Sequence, residues 1–365
     1  MKKKDKYNIA VVGAKGAVGH EMIKLLEASS IPVGEFKPFG SARTKGADIS
    51  FRGKNYKNNE LKCNREEFKG IDIVLSSPGA SVSKQFAEHA IAEGAIIIDN
   101  TSAFRMDSKV PLVVPEINAA DIKEDSKVIA NPNCSAIMML MAVAPLHRKN
   151  RIKRIYCATY QAVSGAGATA MVELYNQAKE FVERVEKNPV SKSDLLAAVQ
   201  DETDKLGKSP LAKSVFPHQI AFNLFSHNTA IENTGYNGEE SKMIQESKKI
   251  LHDKNIQIAT TCIRVPVLRA HTEVLYIEFE KRMTPDEALG ILIKAPGIEI
   301  QNDPSENHFP MPIEASNKKK VLIGRIRQDL ANENGLALMV SGDQLWKGAA
   351  LNAVQIAEYL VSNAK

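Results

Sequence analysis

The run Tyr7-Asn8-Ile9-Ala10-Val11-Val12-Gly13-Ala14-Lys15-Gly16-Ala17-Val18-Gly19 decides how the chain begins to fold. Its first six residues make a short apolar strand, the glycines make a turn, and Glu21 to Ala28 has helical spacing. Strand, glycine turn and helix form the βα unit that cradles a dinucleotide, because glycines let backbone N–H groups approach a pyrophosphate at a helix N-terminus. Gly13, Lys15, Gly16, Ala17, Val18 and Gly19 are therefore candidate cofactor contacts. The spacing is GxxGxxG and not GxGxxG, so the motif needs its surroundings to carry weight.

Those surroundings agree. The next strand-like segment, Glu35 to Gly40, ends at Ser41-Ala42-Arg43-Thr44, where an NAD-specific domain usually has a carboxylate for the ribose hydroxyls. Arg43 with Ser41 and Thr44 beside it suits a 2′-phosphate, which points to NADP. Ile71 to Leu75 and Ala95 to Ile98 are fully apolar, and each runs into a polar loop. Such strands alternating with helices imply a parallel sheet covered on both faces, with ligands beyond the carboxyl ends. That placement adds Ser76, Ser77, Gly79 and Asn100 to the cofactor candidates.

Lys127 to Ala130 is another buried strand-like run, followed by Asn131-Pro132-Asn133-Cys134-Ser135 and an apolar helix-like run from Ala136 to Leu146. A cysteine there sits at a helix N-terminus, which favours the thiolate. Beyond it the texture changes. Arg151 to Val163 reads as a strand, Ser164 to Gly167 as a tight loop and Ala170 to Lys187 as a long helix, while 189–213 is polar and irregular with no assigned chemistry. Glu239 to Asp253 is helical. Ile256 to Val267 and Thr272 to Phe279 alternate like antiparallel strands joined by Leu268-Arg269-Ala270-His271. Thr284-Pro285-Asp286-Glu287 is a capping box opening a helix, and Val321 to Ile326 and Leu336 to Val340 add strands.

The expected fold class is α/β. A Rossmann-type parallel-sheet cofactor domain (1–133 and 343–365) joins an α+β substrate and dimerisation domain (134–342) with an open mixed sheet. The last helix, Lys347 to Ser362, is expected to pack back on the cofactor domain.

Composition narrows the class. Charged residues are 25% and hydrophobic ones 44% of the 365 residues, and the net charge is +5. Lys2-Lys3-Lys4 reads as a solvated tail, so no nucleic-acid partner is expected. No secretion signal or membrane span is expected either, as nothing approaches about eighteen uncharged apolar residues in a row. Cys63, Cys134, Cys157 and Cys262 are far apart, which reads as reduced thiols in a cytoplasmic protein with no zinc site.

Cys134 has candidate helpers. The Gln161 amide is able to orient a carbonyl or its tetrahedral adduct, and His271 is the best placed of eight histidines to exchange a proton with the thiol. Arg264 suits a carboxylate, Lys242 and Arg105 a phosphate, and Glu239 a substrate ammonium. Together they fit a small zwitterionic acyl phosphate. A thiolate, an NADP domain and an anion site define one reaction: thioester formation with loss of phosphate, then hydride transfer and collapse to an aldehyde.

At this point the chain closely resembles the aspartate-semialdehyde dehydrogenase family. The matching pieces include Gly13 to Gly19, Ser41 to Thr44, Asn131 to Ser135, Tyr160 to Gly167, Glu239 to Lys242, Arg264 to Val267, Arg269 to His271 and Lys347 to Asn352. The resemblance implies NADPH-dependent reduction of aspartyl 4-phosphate to aspartate 4-semialdehyde, on the route to lysine, threonine and methionine. It implies Cys134 as nucleophile, His271 as acid/base and Gln161 as orienting amide. Arg264 and Glu239 would hold the amino-acid end, Arg105 and Lys242 the phosphate, with Asn133 lining the pocket. Ser164, Gly165 and Asn352 would lie on the cofactor side. Homodimers through the substrate domains are implied, with tetramers as the larger assembly. Trp346 departs from the basic or aliphatic residue of many relatives.

Three other readings compete. N-acetyl-γ-glutamyl-phosphate reductase shares the architecture, but resembles Asn-Pro-Gly-Cys-Tyr at the nucleophile and offers no ammonium to Glu239. Glyceraldehyde-phosphate dehydrogenases carry their cysteine in a Ser-Cys-Thr-Thr-Asn string that is absent here. A redox sensor binding NADP without turnover has no need of Gln161, His271 and Arg264 together.

Overall fold

Apolar strands alternating with helices bury both faces of a sheet, and the computed structural model shows the result. It describes residues 1–187 and 192–365, so positions 189–191 of the polar stretch lie outside the described residues. Strands β1 (Tyr7–Val12), β2 (Val33–Gly40), β5 (Asn59–Glu60), β6 (Ile73–Ser76), β7 (Ile96–Asp99) and β8 (Val128–Ala130) form a parallel sheet in the order β5-β2-β1-β6-β7-β8. A hairpin, β3 (Asp48–Phe51) and β4 (Lys54–Lys57), lies outside it. Helix α1 (Ala17–Glu27) covers one face and α2 (Ala80–Ala92) the other. The chain runs from β1 to β2 on one side and returns to β6 on the other. That reversal opens a crevice at the carboxyl ends of β1 and β6.

After a single turn, α3 (Pro115–Asn118), the chain leaves β8 through α4 (Cys134–Lys149). Ser135 to Ala144 are all buried, as a helix apolar on every side requires. Each such Ile, Leu or Met contributes roughly 1.5–3 kcal/mol by leaving water. α4 lies on a second, mixed sheet of order β10-β11-β9-β12-β15-β14-β13. Its strands are β9 (Ile152–Gln161), β10 (Phe225–Ser226), β11 (Gln257–Arg264), β12 (His271–Phe279), β13 (Ile298–Ile300), β14 (Val321–Gln328) and β15 (Gly335–Gly342). Helices α7 (Gly238–Ile250) and α8 (Pro285–Leu292) pack beside α4, and α8 starts with the expected capping box. The opposite face exposes Tyr156, Tyr160 and Tyr276.

The expected hairpin of β11 and β12 does not form. β9 lies between them, parallel to β11 and antiparallel to β12. The Val265–Ala270 connection crosses the end of β9, where Val163 N–H donates to Val267 O at 2.9 Å and Ser164 N–H to Leu268 O at 3.3 Å. Alternation identified the strands and not their neighbours.

Part of the polar stretch is helical. α6 (Lys192–Leu206) packs against α5 (Ala168–Glu186), and the Glu173 carboxylate anchors the following loop through Ser214 N–H at 2.8 Å and Ser214 Oγ at 2.7 Å. One turn, α9 (Pro312–Ala315), precedes β14, and α10 (Leu351–Ser362) returns to the first sheet against α1. Among the described residues, no helix is long and apolar enough to cross a membrane.

Candidate active site

The cysteine starts α4 because Asn133 caps that helix. Asn133 Oδ1 accepts from Ser135 N–H at 3.0 Å and Ala136 N–H at 3.1 Å. Its Nδ2 donates to Glu239 Oε1 at 2.7 Å. Asn133 therefore lines the cleft with its amide already committed, fixing the cysteine to α7. Cys134 is half-buried in a cleft of about 500 Å³ between the two sheets, a usual size for a small-molecule site.

Three strand ends face it. Gln161 and Arg264, paired across β9 and β11, and His271, which opens β12, all line the same cleft. Gln161 Nε2 donates to Ser135 Oγ at 2.5 Å and to Glu239 Oε1 at 3.3 Å. Arg264 Nη1 donates to Ala162 O at 2.8 Å, and its Nη2 donates to His227 Nε2 at 2.7 Å. His271 Nδ1 accepts from Ala162 N–H at 3.0 Å. A neutral ring that accepts at Nδ1 carries its proton on Nε2, so His271 meets the cleft as a donor. Gly165 permits the close approach, since a Cβ there would lie 3.2 Å from both Arg264 Nη1 and His271 Cε1.

Burial sets the charges. It pushes the Cys134 thiol up to about 12, with Glu239 adding to the effect and Arg105 and Arg264 opposing it. This loss of solvent opposes the thiolate expected at the start of a helix. Burial and then Arg264 hold His271 down at about 3, and burial holds His227 at about 4. Burial opposes charge on Glu239 too, but His227, Lys242 and hydrogen bonds from Asn133 and Gln161 outweigh it and place Glu239 at about 2.

The cations are partly spent. Arg105 donates to Asn131 O and Asn100 O, both at 2.9 Å, and to Glu246 Oε1 at 3.1 Å, which leaves two of its five N–H groups. Lys242 Nζ stands 3.5 Å from Glu239 Oε2 and is partly exposed. Both line the cleft.

The cofactor side is a cradle that side chains would fill. A Cβ on Gly13, whose φ is +85°, would lie 2.8 Å from Ser77 O, and one on Gly19 would collide with Gly13 O. Gly16, Ala17, Val18, Ser77, Asn100, Ser164 and Gly165 line the cleft. This backbone fits a pyrophosphate at the start of α1. Ser41, Arg43 and Thr44 form a turn after β2, next to the glycine turn, where Gly13 N–H donates to Phe39 O at 2.9 Å. Arg43 has no hydrogen bond or ion pair with any described residue. Lys15 is exposed, and Gly79 caps α2 with a φ of +106°.

Two cofactor assignments are corrected. Ser76 is fully buried and donates to Asp99 Oδ1 at 3.1 Å, facing α2 and not the cleft. Asn352 is fully buried: its Oδ1 accepts from Lys347 Nζ at 2.8 Å, and its Nδ2 donates to Val113 O at 2.8 Å and Asn131 Oδ1 at 2.7 Å. Both N–H groups of its amide are committed inside the protein, and the side chain does not line the cleft. Sequence reasoning missed His227, Asn228, Thr229, Gln344 and Gly348, which line the cleft, and Glu246, which accepts from Asn133 N–H at 2.5 Å. Only Glu246 left a signal, seven residues after Glu239 on one face of α7.

Fold and site together define a dinucleotide-dependent oxidoreductase with a cysteine nucleophile. Models for "Semialdehyde dehydrogenase, NAD binding domain" and "Semialdehyde dehydrogenase, dimerisation domain" match residues 8–125 and 143–347. The chain is 45% identical to the aspartate-semialdehyde dehydrogenase of Aquifex aeolicus, over 97% of this chain and 98% of that one, and 42% identical to that of Bacillus subtilis, over 97% of each. The crystal structure of aspartate semialdehyde dehydrogenase II from Vibrio cholerae superposes with a TM-score of 0.87 at 36% identity, covering 98% of this chain and 99% of that one. The chain belongs to the aspartate-semialdehyde dehydrogenase family, whose members are NADP-dependent oxidoreductases of amino-acid biosynthesis.

Proposed function

We propose that this cleft reduces L-aspartyl 4-phosphate to L-aspartate 4-semialdehyde with Cys134 as nucleophile. The observation that carries the reading is the convergence of Cys134, Gln161, Arg264 and His271 beside the glycine cradle. Arg264 and Glu239 hold the α-carboxylate and α-ammonium of the substrate, while Arg105 and Lys242 hold the phosphoryl group. The Cys134 sulfur attacks the acyl carbon, the C–O bond to phosphate breaks, and the thiol proton leaves with the phosphate. His271 Nε2 donates to the oxygen that gains charge at each tetrahedral stage, and Gln161 Nε2 joins it by turning one N–H from Glu239 Oε1, its longer bond at 3.3 Å, toward that oxygen. NADPH, when bound against Gly13 to Gly19 with its 2′-phosphate toward Arg43, supplies the hydride. The thiohemiacetal on Cys134 then collapses: the C–S bond breaks, the hydroxyl proton of the thiohemiacetal passes to sulfur and the aldehyde leaves, while His271, neutral with its proton on Nε2, steadies the oxygen by a hydrogen bond and not as the expected base.

We assign the first sheet with α10 to the cofactor domain and the second sheet to catalysis and dimerisation. A second copy fits the tyrosine-bearing face of the second sheet, and a cytoplasmic setting suits the four free thiols. The test is phosphate-dependent formation of NADPH from aspartate semialdehyde, abolished in Cys134→Ala, with light scattering for the dimer. NADPH formation from N-acetylglutamate semialdehyde instead would refute the substrate.

A further inference from the structure

The second sheet presents its buried face to α4 in rows. One row holds Arg264 and Gln161, already placed in the site. The next holds Cys262, Thr159 and Glu273, paired across β11, β9 and β12, and all are buried. Glu273 and the Thr159 opposite it both carry buried side-chain oxygens without a hydrogen-bond partner among the described residues, and Glu273 is the ionisable one. It is fully buried, and neither carboxyl oxygen has a hydrogen-bond partner among the described residues. Burial raises its pKa well above the carboxylate range, so it is a neutral acid with an O–H to donate. A further orphan lies one row away. Gln161 Oε1 is buried with no partner, although both hydrogen bonds of Gln161 Nε2 are made.

Gln161 is diagonal to Glu273 across β9 and β12, a separation of about 7–8 Å between Cα atoms. Long side chains span part of that distance, and one buried water completes it. We propose that Glu273 is a positioning residue for the reaction: as a neutral acid it donates, through a bridging water, to Gln161 Oε1. That bond reinforces the one from Gln161 Nε2 to the Glu239 carboxylate in fixing which way the amide faces. Gln161 then keeps one N–H toward Ser135 and the other for Glu239 or the reacting oxygen, and cannot flip to present a carbonyl lone pair to a developing oxyanion. The same row explains why a carboxyl is kept where a hydrocarbon would pack at lower cost. This inference rests on Gln161 being the orienting amide.

The test is a double-mutant cycle on kcat. Glu273→Met keeps length and volume but removes the donor, and kcat falls about tenfold with KM for NADPH unchanged, as expected for a loosened catalytic group. Glu273→Gln keeps an N–H donor in the same place and restores kcat to within about threefold. Gln161→Met loses about 10²-fold, the usual cost of one oxyanion donor. In that background Glu273→Met costs less than about twofold more, because its effect passes through Gln161. Full activity of Glu273→Met alongside a crippled Gln161→Met overturns the role of Glu273 alone, whereas full activity of both overturns the reading of Gln161 as well. An undiminished tenfold loss in the double variant assigns Glu273 to packing and overturns the proposal. Should Glu273→Met not fold, a crystal structure of the native enzyme decides: no water or direct contact joining Glu273 to Gln161 Oε1 overturns it.

Discussion

Gly348 is the most exacting position around the nucleophile. It sits in a π-helical turn, Trp346–Ala350, where Gly348 N–H donates to Asp343 O at 3.1 Å and Ala350 N–H to Leu345 O at 2.9 Å. The wider turn leans its backbone against the first residue of α4. A Cβ on Gly348 would lie 2.8 Å from Cys134 Cβ and 3.3 Å from both Cys134 Cα and Met138 Cε. Carbon atoms settle about 3.5–4.0 Å apart, so Gly348→Ala must drive the turn and α4 apart by roughly 1 Å. Overpacking of this kind costs about 1–3 kcal/mol of stability. The larger effect is on chemistry, where a 1 Å displacement of a reacting group costs about 10²-fold. Stopped-flow NADPH absorbance gives kcat, and mass spectrometry of iodoacetamide-treated enzyme gives the alkylation rate of Cys134 itself. Wild-type kcat in a folded Gly348→Ala enzyme would show that this contact does not set the position of the sulfur.

Lys347 is fully buried and pairs with Glu116 Oε2 at 2.5 Å while donating to Asn352 and Gln355, so Lys347→Met leaves three acceptors without a donor and costs about 3–5 kcal/mol in thermal or denaturant unfolding. An unfolding free energy within about 1 kcal/mol of wild type contradicts the pairing. Because burial raises the Cys134 thiol to about 12, its thiolate fraction grows with pH, and alkylation of the free enzyme should climb about tenfold per pH unit from 7 to 10. A plateau below pH 8 means the thiol ionises early and the burial argument fails. His227→Leu removes the acceptor that holds Arg264 Nη2, raising KM for aspartate semialdehyde about tenfold, or about 1.4 kcal/mol, with a smaller change in kcat. Steady-state kinetics with an unchanged KM remove His227 from the substrate subsite.

What could be read from the sequence was local. The glycine turn, the capped start of α4 and the capping box of α8 are each written in a few adjacent residues, and each forms where local chemistry places it. The insertion of β9 between β11 and β12 is not local. It depends on which strand shields which edge, and alternation within a strand carries no record of that. Ser76 and Asn352 show a second limit. Both are polar residues inside motif-rich runs, but strand and helix phase turn them inward to Asp99 and Lys347. His227 shows a third, because a single histidine just after the two-residue strand β10 has no spacing that ties it to Arg264.

The protonation of the site follows from the same burial that assembles it. Removing Cys134 and His271 from water raises one pKa and lowers the other, so the resting pair is a thiol and a neutral imidazole, not an ion pair. The lasting charges around them are those of Arg105, Arg264, Lys242 and Glu239, and the pull of the two arginines on the thiol does not overcome burial. A base must therefore arrive with the substrate. The phosphoryl group of an acyl phosphate meets that need, since the oxygen freed by C–O cleavage takes up the proton that sulfur gives away. A thiol kept protonated until then is also slow to oxidise, because oxidants attack the thiolate. Burial, which makes Cys134 a poor nucleophile in the empty cleft, thereby ties its reactivity to the arrival of a substrate oxygen able to take its proton.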